Sequence, residues 1–241
     1  MTLKNKQSNL EAKRLAATAA GALVHDGMLV GVGTGSTVFF LIEELGRRVR
    51  EDNLNITAVP TSFQSRLLCL GLAIPVRDMQ DVASLDLAID GADEVDPNLD
   101  LIKGGGAAQA REKIVVTMAK DFVVVVDESK LVKHLGENFA IPVEILPSGL
   151  ALVEKTVAGL GGTSALRLGV AKDGPVITDN GQFILDLRFP PSVDLRMVDQ
   201  ALHRAPGVIE TGLFFGMANK ALVGCGAPGN VTLRTLLRPA S

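Results

Sequence analysis

The chain contains no tryptophan and no tyrosine, and only 9 of its 241 residues are phenylalanine. Stacking platforms for bases or sugars are built from such side chains, so that mode of recognition is not expected. Cysteine is almost as scarce. Cys69 and Cys225 lie far apart, with no CxxC or ligand-like spacing, and a reducing cytoplasmic compartment is the expectation. The three histidines, His25, His134 and His203, are isolated and share no metal-binding spacing. Basic charge is not in excess: 24 Lys and Arg stand against 27 Asp and Glu, a net charge of −3. That balance argues against a nucleic-acid footprint and against a polybasic membrane contact. Long apolar runs are missing as well. The strongest, residues 122–126, has five residues, far below the ~20 that span a bilayer. Residues 1–14 (MTLKNKQSNLEAKR) contain no apolar core of a secretory signal, so none is expected.

What is present is an ordinary globular composition, with 47% hydrophobic and 21% charged residues. A chain of this length buries about 70–75% of its unfolded surface and needs no disulfide or metal staples. Residues 10–24 read as a helix with an Ala- and Leu-rich face. Residues 28–32 read as a buried strand that breaks into Gly33-Thr34-Gly35-Ser36, and residues 37–50 resume helical spacing, with Val38, Leu41, Ile42 and Leu45 on one face. Further apolar strands are expected at 56–59, 74–76, 85–89 and 122–126, with a helix over 107–119. Strands alternating with helices predict a parallel, Rossmann-like α/β sheet with helices on both faces.

Beyond about residue 135 the pattern changes. A strand at 142–146, a helix capped by Ser148 and ending near 158, a hairpin of 176–178 with 182–189 around Asn180-Gly181, a helix at 193–204 and a strand at 207–214 follow. This order predicts a smaller ferredoxin-like α+β domain. The expected division is a catalytic α/β domain from 1–134 and 215–241, with the small domain at 135–214. Residues 221–223 and 231–237 are expected to rejoin the main sheet.

Four patches could carry chemistry. In the first, Gly31 to Thr37 (GVGTGST), a Gly-rich turn opens a helix, so backbone N–H groups and the helix's positive end can meet an anion. Ser36 and Thr37 add hydroxyls. A dinucleotide fingerprint would need Gly at position 36 and a later acid, where the chain has Pro60-Thr61-Ser62; a P-loop would need a Lys. A tight turn that binds nothing is the competing reading.

The second patch, Asp90-Gly91-Ala92-Asp93, ends a strand where open α/β sheets line their ligand crevice. Its carboxylates could accept protons from sugar hydroxyls. A solvated acidic turn, reinforced by Asp86, Glu94, Asp96 and Asp100, and a Mg²⁺ site are the alternatives. The third patch is Lys103-Gly104-Gly105-Gly106, directly before a helix. Three glycines are costly in conformational entropy, and they leave bare N–H groups that can converge on a developing oxyanion beside the Lys103 ammonium. A flexible hinge competes with that reading. In the fourth, Arg111-Glu112-Lys113, Glu112 lies six residues beyond Gly106. A carboxylate near an oxyanion pocket can remove a proton beside a carbonyl, whereas a solvated helix face is the usual fate of such a tripeptide.

Taken together, GVGTGST (31–37), DLAIDGADEVD (86–96) and KGGGAAQAREKIV (103–115) resemble the type A ribose-5-phosphate isomerase family. PVEILP (142–147), TDNG (178–181) and APGVIETGLF (205–214) extend the resemblance over nearly the whole chain. It implies metal-free and cofactor-free interconversion of D-ribose 5-phosphate and D-ribulose 5-phosphate in the non-oxidative pentose phosphate pathway. It further implies that Glu112 moves the proton between C2 and C1, while Asp90 and Asp93 assist ring opening and proton movement among hydroxyls. Lys103 with the backbone of Gly104, Gly105 and Gly106 would stabilise the enediolate oxygen. Thr34, Gly35, Ser36 and Thr37 would bind substrate, with Ser36 and Thr37 nearest the phosphate, and Gly91 and Ala92 would line it. Lys130 and Lys13 would complete the phosphate cradle. The resemblance also implies a homodimer or homotetramer. Gln109 departs from the apolar residue expected there, and an effect on stability rather than activity is anticipated.

Three rivals have distinguishing features. A non-catalytic sugar-phosphate sensor would need a DNA-binding module, and no helix-turn-helix precedes Gly31. A CoA transferase would use Glu as a nucleophile, and would leave the paired Asp turn without work. An amino-sugar phosphate isomerase-deaminase would recruit a catalytic His, and none falls in the four patches.

Overall fold

The computed structural model describes residues 3–239, with side chains from Leu10 onward. Met1 and Thr2, at the head of the segment read for a signal sequence, lie outside the described residues. In chain order the first elements are α1 (Leu3–Gly21), β1 (Leu29–Val32), α2 (Ser36–Glu51), β2 (Thr57–Pro60), α3 (Phe63–Gly71), β3 (Leu85–Asp90), β4 (Glu94–Val95) and β5 (Leu101–Ile102). Next come α4 (Gln109–Met118), β6 (Ala119–Asp127), β7 (Ile141–Ile145), α5 (Leu150–Gly159), β8 (Thr163–Leu166) and β9 (Phe183–Arg188). The chain finishes with α6 (Leu195–His203), β10 (Val208–Thr211), β11 (Leu213–Phe214), β12 (Lys220–Ala227) and β13 (Asn230–Leu237). It divides into two compact units, one of Met1–Ala92, Arg111–Leu131 and Gly216–Ser241, the other of Asp93–Ala110 and Val132–Phe215.

The larger unit is built on a six-stranded sheet in the order β13-β12-β6-β3-β1-β2, parallel except for β13, which returns antiparallel to β12. Its inner strands read as unbroken apolar runs because both faces are covered: residues 122–126 of β6 are all buried. The predicted stripe on α2 (Val38, Leu41, Ile42, Leu45) is buried, and it joins Val30, Val32, Ile89 and Val123 in one core. Two expectations fail here. Residues 74–76 form no strand, only a single bridge from Val76 to Ala58. Helix α3 was not anticipated; it starts from a capping box in which Ser62 and Ser65 bond each other's backbone N–H.

The smaller unit carries an antiparallel sheet in the order β10-β7-β9-β8, with α5 between β7 and β8 and α6 between β9 and β10. This is the ferredoxin-like arrangement expected. Its core joins Ile141, Val143 and Ile145 to Val153, Val157, Val198 and Leu202. Three details differ from expectation. The Asn180-Gly181 turn forms, with Gly181 at φ 81°, but the partner of β9 is β8 rather than 176–178. Ser148 is not a cap, since Gly149 precedes α5 and supplies no side-chain bond. The strand expected at 207–214 breaks at Gly212, and β11 leaves to join β5 and β4 in a separate three-stranded sheet. Among the described residues no helix is long and apolar enough to cross a membrane.

Candidate active site

In the larger unit, β1 and β3 lie side by side, so their carboxyl ends bring the Gly-rich turn against Asp90. Asp90 Oδ1 accepts the N–H of Thr34 at 3.1 Å and of Gly91 at 2.7 Å. Gly33 is required by this approach: a Cβ there would stand 1.9 Å from the Asp90 carboxylate carbon. The Thr34 hydroxyl donates to Ser62 Oγ at 2.7 Å and lies 2.9 Å from Thr61 Oγ1, which ties the turn to the end of β2. Gly35, at φ 104°, then opens α2 without a side-chain cap, so Ser36 and Thr37 lie in the first turn, where helical amides lack intrahelical partners. Lys13 of α1 reaches the same helix start and donates from Nζ to Ser36 Oγ at 3.0 Å. Asp127, at the end of β6, stands 4.0 Å from that ammonium. Lys130 follows in the short turn after β6, half-buried.

Glu112 occupies the first turn of α4 and is only 4% exposed. The competing picture of a solvated helix face is thereby removed. Asp90 is 1% exposed and Asp93 half-buried, so the carboxylate that ends β3 is not a solvated one either.

In the smaller unit, Asp93 is pinned at both ends. Its N–H donates to the Ile102 carbonyl at 2.8 Å, and its Oδ2 accepts the Gly105 N–H at 2.7 Å. Lys103 is buried, its N–H donates to the Gly212 carbonyl at 2.9 Å, and its ammonium lies 5.5 Å from the centre of the Phe214 ring. Gly104 adopts φ 106°, a left-handed conformation that disfavours other residues. Gly105 and Gly106 are exposed. Gln109 is fully buried under Gly104, and neither atom of its amide has a hydrogen-bond partner among the described residues.

The structure therefore brings Thr34, Gly35, Ser36, Thr37, Lys13, Asp90 and Gly91 together in one unit. It brings Asp93 together with Lys103, Gly104 and Gly105 in the other. The family model for ribose 5-phosphate isomerase A (phosphoriboisomerase A) matches residues 57–227. The chain belongs to this family. A ribose-5-phosphate isomerase A of Thermosynechococcus vestitus is 53% identical over 213 residues, 88% of this chain and 90% of that one. The ribose 5-phosphate isomerase A of Methanocaldococcus jannaschii superposes with a TM-score of 0.86 at 45% identity, over 93% of this chain and 97% of its own. A D-ribose-5-phosphate isomerase solved in complex with phospho-erythronic acid reaches a TM-score of 0.87 at 41% identity, over 94% and 99%.

Within this ribose 5-phosphate isomerase A framework, the acidic residues around Asp90 and Asp93 have structural partners. Asp86 accepts the Leu29 N–H at 2.9 Å and the Lys120 ammonium at 2.7 Å; the amide first and the ammonium second hold its carboxyl below the usual range. Glu94, buried, accepts the N–H groups of Gly136, Asn138 and Phe139, each at 2.6 Å. Asp96 accepts the N–H of Asn98 and of Asp100 at 2.8 Å, and Asp100 pairs with Arg196. Among the described residues no group of three or more His, Cys, Asp or Glu could hold a metal ion. The reading of residues from sequence missed Thr61, Ser62, Asp127 and the pair Arg167–Asp186. Thr61 and Ser62 end a strand beside the Gly-rich turn, and that position was the available signal. Arg167 and Asp186 are 19 residues apart and carried none.

Proposed function

We propose that this chain interconverts D-ribose 5-phosphate and D-ribulose 5-phosphate, an aldose–ketose isomerisation of the non-oxidative pentose phosphate pathway, through a cis-enediolate. The phosphate sits at the start of α2, where Ser36, Thr37 and helical amides meet the Lys13 ammonium, and Lys130 adds a second positive charge. Anchoring there supplies binding energy remote from the reacting carbons and holds C1 and C2 in register. A relative's complex with phospho-erythronic acid supports a phosphorylated sugar as the ligand.

Glu112 removes the proton from C2 of the open-chain aldose. The C–H electron pair forms the C1–C2 double bond, and the carbonyl π pair moves onto O1. Glu112 then delivers a proton to C1, one that can exchange with solvent while it resides on the carboxyl group, and with a proton passing between the two oxygens the ketose is formed. The difficult species is the enediolate, whose negative oxygen water stabilises only by reorganising. Lys103 and the amides of the triple-glycine loop are already oriented, and one such donor contributes about 3 kcal/mol at the transition state. Asp90 and Asp93 handle the hydroxyl protons and the opening of the ring. In sequence, Asp93 follows Asp90 by three residues and Glu112 follows Gly106 by six.

The burial of Glu112 carries this reading: a carboxylate 4% exposed in the first turn of α4 is withheld from solvation, which suits a proton-transfer base. The working form is a dimer or tetramer of this chain in the cytoplasm. Turnover of ribose 5-phosphate in deuterated water tests the reaction. Solvent deuterium on the product carbon is expected, and complete retention of the substrate hydrogen would replace proton transfer with a hydride shift.

A further inference from the structure

The triple-glycine loop has no side chains of its own to hold its amides in place, and an oxyanion site acts only if its donors are already aimed. Within the smaller unit, the loop's carbonyls are held from one side. Arg167, at the end of β8, donates from Nη1 to the Gly104 carbonyl at 2.8 Å and lies 3.3 Å from the Gly105 carbonyl. The same guanidinium is fixed by Asp186 of β9, with Nε 2.8 Å from Oδ2 and Nη2 bonded to Oδ1. A two-point ion pair fixes the plane of the guanidinium, so its remaining donors point in a set direction.

A planar trans peptide links each carbonyl to the opposite direction of the next N–H. With the Gly104 carbonyl drawn to Arg167, the Gly105 N–H must face away, and there it meets Asp93 Oδ2 at 2.7 Å. That peptide plane is gripped at both ends by charged groups. The next plane obeys the same rule: a Gly105 carbonyl drawn toward Arg167 turns the Gly106 N–H to the opposite side. The Gly104 carbonyl also accepts the Ala107 N–H at 3.0 Å, which closes the turn, and Arg167 adds a charged donor that the glycines themselves cannot supply.

We infer that Arg167, braced by Asp186, is a positioning residue that sets the two peptide planes of the loop and thereby aims the Gly106 amide, with Asp93 holding the Gly105 N–H from the other side. The inference rests on the isomerase reading above. Arg167 does not touch the reacting atoms; its effect is on how well the loop stabilises the enediolate oxygen, so loss should appear in kcat rather than in KM.

The experiment compares the parent with Arg167→Gln and Arg167→Lys in a ribose 5-phosphate isomerisation assay, with inorganic phosphate as a competitive inhibitor. Expected for Arg167→Gln is a kcat lowered about 10- to 100-fold, the scale of a misplaced donor. KM and the inhibition constant for phosphate should stay within about twofold of the parent, because the phosphate turn is built by other residues. Arg167→Lys should recover part of the lost kcat through one retained carbonyl bond. A kcat within twofold of the parent in Arg167→Gln overturns the inference, as does a fall in which KM and phosphate inhibition deteriorate together. If Arg167→Gln does not fold, Arg167→Lys and Asp186→Asn decide by the same split. A parent without isomerase activity would instead defeat the isomerase reading, which keeps the two failures distinct.

Discussion

Asp90 accepts the backbone N–H of Thr34 at 3.1 Å, so one buried carboxylate sets the geometry of the Gly-rich turn. Gly33, immediately before it, makes this possible by leaving room for the carboxylate, since a Cβ would overlap the Asp90 side chain at 1.9 Å. The Asp90 side chain is short and engaged by two amides, so it cannot swing aside cheaply. Gly33→Ala should therefore destabilise the fold by about 1–3 kcal/mol, the range for overpacking, and lower kcat/KM at least 10-fold. Urea unfolding and steady-state assay check both. A variant with parental stability and activity would show that the turn and Asp90 are not coupled.

Gln109 presents the opposite situation, a polar group where nothing receives it. Both amide atoms are buried under Gly104 without hydrogen-bond partners among the described residues. Gln109→Leu keeps the approximate volume and removes the desolvated amide, so a gain of about 1–2 kcal/mol is expected. Thermal unfolding should shift upward with kcat little changed. A lower melting temperature would mean that the amide is satisfied in solution.

Glu94 holds residues 136–139 by three short amide bonds. Hydrogen bonds to charged groups contribute about 1.5–3 kcal/mol each, not additively, so Glu94→Ala should cost about 3 kcal/mol or more. Hydrogen exchange gives the local readout: the amides of Gly136, Asn138 and Phe139 should lose protection first. Unchanged protection at those three positions would contradict this role.

His203 gives the stability a pH dependence. Burial pushes its pKa down, but bonding and charge from Asp199 and Glu210 outweigh that, and the net shift is upward. Both ring nitrogens face oxygen acceptors, at 2.8 Å and 2.9 Å, which only the imidazolium satisfies as a donor on both sides. A raised folded pKa means that the contribution is complete below about pH 6.5, the unfolded value. It is lost as pH rises through the folded pKa. Comparing His203→Gln with the parent at pH 5.5 and pH 8.5, the stability difference should be larger at the lower pH. An equal difference at both would remove the linkage.

The inner strands of the main sheet and the Gly-rich candidate patches carried local signals: buried parallel strands read as apolar runs, and glycine clusters mark close backbone approach. Glu112, by contrast, stood out only with its neighbours and the family resemblance. Helix α3 went unread although Phe63, Leu67 and Leu70 stand at helical spacing. It is only nine residues long, and that face is 56%, 68% and 52% exposed while Cys69 is the side chain buried in the core. The break at Gly212 follows from a tertiary approach, since a Cβ there would lie 2.2 Å from the Lys103 carbonyl oxygen. Strand β8 alternates weakly and is known by its pairing with β9, which local sequence does not encode. Arg167 was invisible for the same reason: its role exists only after the fold places it beside Gly104.

Replacing the Glu112 carboxylate by an amide changes one atom and leaves volume and burial nearly unaltered. General acid–base groups contribute about 10²–10⁴-fold to rate, so Glu112→Gln should lose at least 100-fold in kcat on ribose 5-phosphate. Its melting temperature and its inhibition by inorganic phosphate should stay near the parental values. Turnover within a few-fold of the parent in that folded, phosphate-binding variant would contradict the assignment of proton transfer to Glu112.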